Sequence, residues 1–248
     1  MITLYTLPAA FDMVSVSPFC TKLEVYLRMR GLAYRAVFGD PRAAPKKKMP
    51  YVEHDGRIIA DSQHVVDVLE TEAAAARPDE SLDGWLSARE RAESHFFRRA
   101  LEEGFYFVTF YVRWLDEASW AKYAPVYYPY LPKLAGSLVM ALLRRDVRKT
   151  LAAQGTGRHT ADEVHAFGKR DLDALAGVLG DRAYVMGDRP STIDATAFAF
   201  LSSVLDFPVA TPLTTAIRAH DNLLGFHARM RERYLEGWKT GVRDGGRG

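Results

Sequence analysis

An α/β domain followed by an all-helical domain is the architecture that this sequence predicts, on three observations. Strand-like and helix-like periodicities alternate through residues 1–75, and no convincing strand pattern appears from Gly84 onward. An alanine run and ARPDESLD separate the two stretches, so the domains are assigned to 1–75 and 83–241.

ITLYTL (2–7) alternates and is rich in strand formers. SPFCTKLEVYLRMRG (17–31) spaces Phe19, Leu23, Tyr26 and Leu27 as a helix does, with Pro18 at its start and Gly31 at its end. YRAVF (34–38) is a second strand, and YVEHDGRIIA (51–60) is a hairpin turning at Asp55-Gly56. DSQHVVDVLETE (61–72) is an amphipathic helix capped by Asp61 or Ser62. Between Phe38 and Met49, GDPRAAPKKK is too short and too broken by proline for a good helix. Helical patches then cover 83–117, roughly 131–152, 160–179, 191–206 and 212–236, divided by APVYYP, GTG, GDRP and FPVATP. In GDRPSTIDATAFAFL, Ser191 and Asp194 have the spacing of a capping box, ahead of an apolar face. The tail GGRG is expected to be disordered.

Composition excludes several classes. Thirty-three basic against 31 acidic side chains give a net charge of +2, too little to favour polyanions, so nucleic acid is not an expected partner. One cysteine forms no internal disulfide, and MITLYTL lacks the features of a secretory signal, which points to a reducing cytosol. The longest apolar stretch, LAGSLVMALL, is too short to span a bilayer. The histidines have no metal-ligand spacing, so no metal is expected. No phosphate-binding glycine loop, GxSxG elbow or dinucleotide fingerprint is present.

Four motifs in order carry a family resemblance: SPFC at the first helix, MPYV at the third strand, ADSQ after the hairpin, and GDRPSTIDATAFAFL in the helical part. The chain resembles the cytosolic glutathione transferases. SPFCTKLEVYLRMRGLAY, the lysine-rich connector and QGTGRHTADEV are similar to their metaxin-like and failed-axon-connections-like branch. The resemblance implies a thioredoxin-like N-terminal domain with a mixed four-stranded sheet, glutathione as cosubstrate, and conjugation of its thiol to a small hydrophobic electrophile. It also implies a homodimer.

An enzyme of this kind must ionise a thiol whose ordinary pKa is about 8.5. Ser17 would lie at the positive end of the first helix, and in tau-class transferases the Ser before Pro-Phe activates the thiol; its plain alternative is an ordinary cap. Cys20 matches the second cysteine of a CxxC, which raises a glutaredoxin-like alternative, but one turn into a helix a cysteine commonly packs inward. By resemblance, Pro50 is cis and presents the backbone of Met49 to glutathione, although alone it reads as a trans proline opening a strand. Ser62 and Asp61 would hold the γ-glutamyl end, and Lys48 the glycyl carboxylate, with Phe19 beside them. Lys22 fits the branch pattern, its ordinary alternative being an exposed helix face. Thirteen aromatics lie between Phe96 and Tyr130, and from them Tyr106, Phe110, Tyr111 and Trp114 are assigned to the electrophile pocket. Phe11 and Met13, in the long loop 8–16, complete its wall. The competing function is a non-catalytic metaxin-like interaction module.

Overall fold

The computed structural model describes residues 1–236; the GGRG tail and the last residues of the assigned helical domain lie outside them. The N-terminal elements run β1 (Ile2–Thr6), α1 (Pro18–Met29), β2 (Tyr34–Phe38), β3 (Tyr51–His54), β4 (Arg57–Ala60) and α2 (Ser62–Ala76), in the order expected. They form one mixed sheet, ordered β2-β1-β3-β4. β1 runs parallel to β2, with Ile2 opposite Tyr34, and antiparallel to β3, with Thr3 opposite Glu53. The β3–β4 hairpin pairs Tyr51 with Ala60 and turns at Asp55 and Gly56, both at positive φ, as a tight two-residue turn requires. Alternation in β1 sends Ile2 and Leu4 into the core beneath α1.

The helical part comprises α3 (Ala88–Arg99), α4 (Tyr106–Leu115), α5 (Glu117–Tyr123), α6 (Gly136–Gln154), α7 (Ala161–Leu179), α8 (Thr192–Leu205), α9 (Pro212–Arg218) and α10 (Asp221–Leu235). Three details differ from the sequence reading. The 83–117 patch is divided by a π-helical stretch, Ala100–Phe105, whose wider turn buries Leu101, Glu102 and Phe105 together. The APVYYP divider is itself a 3₁₀ stretch, Ala124–Tyr130, and α5 lies just ahead of it. The 212–236 patch breaks after Arg218 into α9 and α10.

One core runs through both halves. α8 is buried on nearly every side and lies against α1, which is itself covered by the sheet and α2. Its start is fixed twice. Asp194 accepts from the Ser191 backbone and hydroxyl at 2.8 and 2.9 Å and from Val185 N at 2.7 Å. Asp83, in the connection between the halves, accepts from Thr192 N and Oγ1 at 2.8 and 2.6 Å. Burial pushes the Asp194 carboxyl up to about 6. No helix among the described residues is long and apolar enough to cross a membrane.

Candidate active site

Ser17 occupies the N-cap of α1, with extended backbone, Pro18 at the first helical position and no side-chain cap bond to its own helix. The residue is half-buried at the junction of two cavities. The larger is an open cleft of about 630 Å³ between the N-terminal domain and α3–α4. The smaller is an aromatic chamber of about 150 Å³ against α4 and the Tyr123–Tyr127 segment. Leu7, Ser17 and Tyr106 line both, so the two spaces meet at the start of α1.

The cleft gathers all six residues assigned to cofactor binding: Phe19, Lys48, Met49, Pro50, Asp61 and Ser62. The Met49-Pro50 peptide is cis, and nothing among the described residues hydrogen-bonds the Met49 backbone, so that edge is open to an extended ligand. Asp61 caps α2 from a positive φ, accepting from Gln63 N at 2.9 Å and His64 N at 3.3 Å. Ser62 is buried with no hydroxyl partner among the described residues, at a helix N-terminus suited to a carboxylate. Lys48 is exposed at the rim, whereas Lys47 is tied to Arg42 O at 2.6 Å and Lys46 lies elsewhere. Phe19 packs edge-on against Tyr106 and Phe200, with centroids 4.9 and 5.8 Å away.

Cys20 lies fully buried behind Ser17, beside Thr6, Ser15, Ser17 and the Leu7 backbone. Burial pushes its thiol up, and the surrounding hydrogen bonds oppose that only in part. It is a protonated packing residue with no face to either cavity, a poor thiolate.

Lys22 is a correction to the exposed-face reading. It is buried, and its ammonium donates to Glu102 Oε1 and Gln63 Oε1, both at 2.5 Å. Glu102 also accepts from Arg98 at 2.7 Å, and Gln63 donates to Asp67 at 2.7 Å. Burial pushes the Lys22 pKa down, opposed by Glu102. This network joins α1 and α2 to the helical domain along the cleft, which Gln63, Asp67, Arg98 and Glu102 line. Glu102 follows Lys22 by 80 residues in sequence, and no local pattern announces the pairing.

The chamber takes Tyr106, Phe110 and Trp114, which share one face of α4, together with Arg113, Tyr123 and Tyr127. Three residues assigned to its wall lie elsewhere. Tyr111 falls on another face of α4 and packs on the main core. The 8–16 loop folds back on itself through Val16 N to Pro8 O and Met13 N to Ala10 O, at 2.9 and 3.0 Å. Met13 is thereby buried, and Phe11, at positive φ, meets Phe207 edge-on at 5.5 Å. Among the described residues no cluster of His, Cys, Asp or Glu is placed to hold a metal ion.

A glutathione S-transferase N-terminal domain model matches residues 18–119 and a C-terminal domain model matches residues 168–230, together more than half of the chain. The chain belongs to the glutathione S-transferase family. Its relatives include the isoprene-epoxide glutathione S-transferase of Rhodococcus sp. (strain AD45), 28% identical over 94% of this chain and 99% of that protein. Failed axon connections of Drosophila melanogaster is 31% identical over 96% of this chain, which spans 59% of that protein. Metaxin-2 of Mus musculus is 23% identical over 88% of this chain and 82% of that one. Among solved structures, the beta-etherase LigF from Sphingobium sp. strain SYK-6 has the same fold, with TM-score 0.65 at 15% identity over 95% and 97% of the two chains.

Proposed function

We propose that the protein is a glutathione S-transferase in which Ser17 activates the glutathione thiol for addition to a small hydrophobic electrophile, such as an epoxide, a halide or an activated alkene. The observation that carries this reading is the place of Ser17: it stands where a polar cleft with an open Met49 backbone edge meets an aromatic chamber. Glutathione would lie along that edge, with its γ-glutamyl end at Ser62 and Asp61 and its glycyl carboxylate towards Lys48. The Ser17 hydroxyl would donate its proton to the glutathione sulfur and so favour the thiolate. The positive end of α1 favours the same anion. Lowering the thiol pKa by about two units takes roughly 2.7 kcal/mol. Ser17→Ala is thus expected to raise the bound thiol's pKa by about two units, read from thiolate absorbance, and to lower kcat/KM about a hundredfold at neutral pH. Unchanged thiolate absorbance in this variant, or failure of the wild type to bind glutathione, overturns the reading.

The metaxin relatives favour a second reading, an interaction module that keeps the fold without turnover. Glutathione binding with no conjugation across a broad electrophile panel would select it. A disulfide-exchange role for Cys20 is poorly served by a buried thiol of raised pKa. A cytosolic homodimer is the accompanying proposal, checked by native mass measurement and cell fractionation.

A further inference from the structure

Arg113 is a buried cation in a largely aromatic setting, and among the described residues no carboxylate lies within ion-pairing distance of it. Its guanidinium donates to Val16 O at 2.6 Å and to Ser203 O, and lies against the rings of Tyr123 and Phe207 at 5.3 and 5.0 Å. Carbonyl oxygens and ring faces offset a charge only in part, so a buried guanidinium without an anion leaves a positive potential in the space that it lines. That space is the chamber adjoining Ser17.

Tyr123 and Tyr127 line the same chamber, with their hydroxyl oxygens 2.7 Å apart. Two hydroxyls joined by one hydrogen bond spend one proton on each other, and the second remains available to an acceptor. Burial pushes both phenols up, so each is a neutral donor and not a nucleophile at neutral pH. A small apolar chamber with one pair of proton donors and one uncompensated cation is therefore suited to a developing negative charge.

We propose that the Tyr123–Tyr127 pair, backed by Arg113, protonates the oxygen released when the sulfur attacks, so that the chamber selects small epoxides over halides. The proposal rests on the reading of the cleft as the glutathione site. In the step, the thiolate sulfur forms a bond to one epoxide carbon, and the C–O bond at that carbon breaks with its electron pair passing to oxygen. The pair supplies a proton to that oxygen, and the resulting tyrosinate faces Arg113. A proton from solvent restores the phenol, balancing the one released when glutathione ionised. A departing bromide is a weak base that leaves without a proton, so it draws far less from the pair than an alkoxide oxygen does.

The test compares methyloxirane with a bromoalkane of matching size in the wild type, Tyr123→Phe and Tyr127→Phe, all of which keep the rings. The expected result is a fall of at least about tenfold in the epoxide-to-bromoalkane ratio of kcat/KM in each variant. Calorimetry gives a second measure without turnover. The wild type is expected to bind S-(hydroxypropyl)glutathione at least about threefold more tightly than S-propylglutathione, a preference lost in the double Tyr→Phe variant. An unchanged ratio, or a wild type that binds the two conjugates equally, overturns this proposal and leaves the transferase reading standing. A wild type that binds neither conjugate overturns both.

Discussion

Lys22 and Arg113 are both buried cations beside the start of α1, and they are neutralised in opposite ways. Lys22 meets Glu102 and Gln63 at 2.5 Å, and Glu102 is shared with Arg98. Arg113 meets two carbonyls and two rings. The first arrangement is closed: the buried ammonium has a carboxylate as a direct partner within the protein, and the result holds two domains in one relation. The second is open, and an open charge costs stability unless something arrives to meet it. The polar cleft is thus lined by a network already satisfied, whereas the apolar chamber holds the unspent potential. A cation's burial says little about its use until its partners are counted.

Breaking the closed arrangement should have the largest effect. Lys22→Met leaves Glu102 buried with Arg98 alone and is expected to cost about 4 kcal/mol in urea unfolding, with Lys22→Met/Glu102→Leu recovering most of it. Asp194 sharpens the contrast from the anionic side, since N–H and hydroxyl donors hold it in place of a cation. Its folded pKa, about 6, stands above the ordinary 3.8. Its contribution to stability is therefore fully present below 3.8 and is lost as pH rises through 6. Measured against Asp194→Asn, the wild type should lose up to about 3 kcal/mol of relative stability between pH 4 and 7, and a flat difference would show that the donors compensate the charge fully. The smallest effect on stability is expected for Arg113→Met, about 2 kcal/mol, because two carbonyls lose a donor while an unpaired charge is removed. If this variant unfolds as readily as Lys22→Met, the distinction between closed and open cations fails.

Most of the fold was legible because its signals are local. The alternation of ITLYTL, the Asp55-Gly56 turn, Pro18 after Ser17, and the Ser191–Asp194 spacing each fix a boundary within a few residues. α5 escaped because seven residues beside a proline-rich aromatic run carry too little periodicity. Within the site, the cleft residues lie near turns and helix starts, where residue type is tied to geometry. The chamber residues lie on α4, whose aromatics cover more than one face, so the sequence names Tyr111 as readily as Tyr106. The partners of Lys22 and the environment of Arg113 depend on residues 80 and 90 positions away, beyond any pattern in a window of one helix.

The hydrogen bond from Lys22 to Gln63 has a practical consequence. Gln63 belongs to the same first turn as Asp61 and Ser62, while Lys22 is anchored through Glu102 to the helical domain. A ligand that tightens the turn also tightens the seam between the domains, so occupancy and unfolding become one equilibrium observed at two places. A melting curve then serves as a binding assay, and candidate cosubstrates can be ranked by heat alone before any reaction is known.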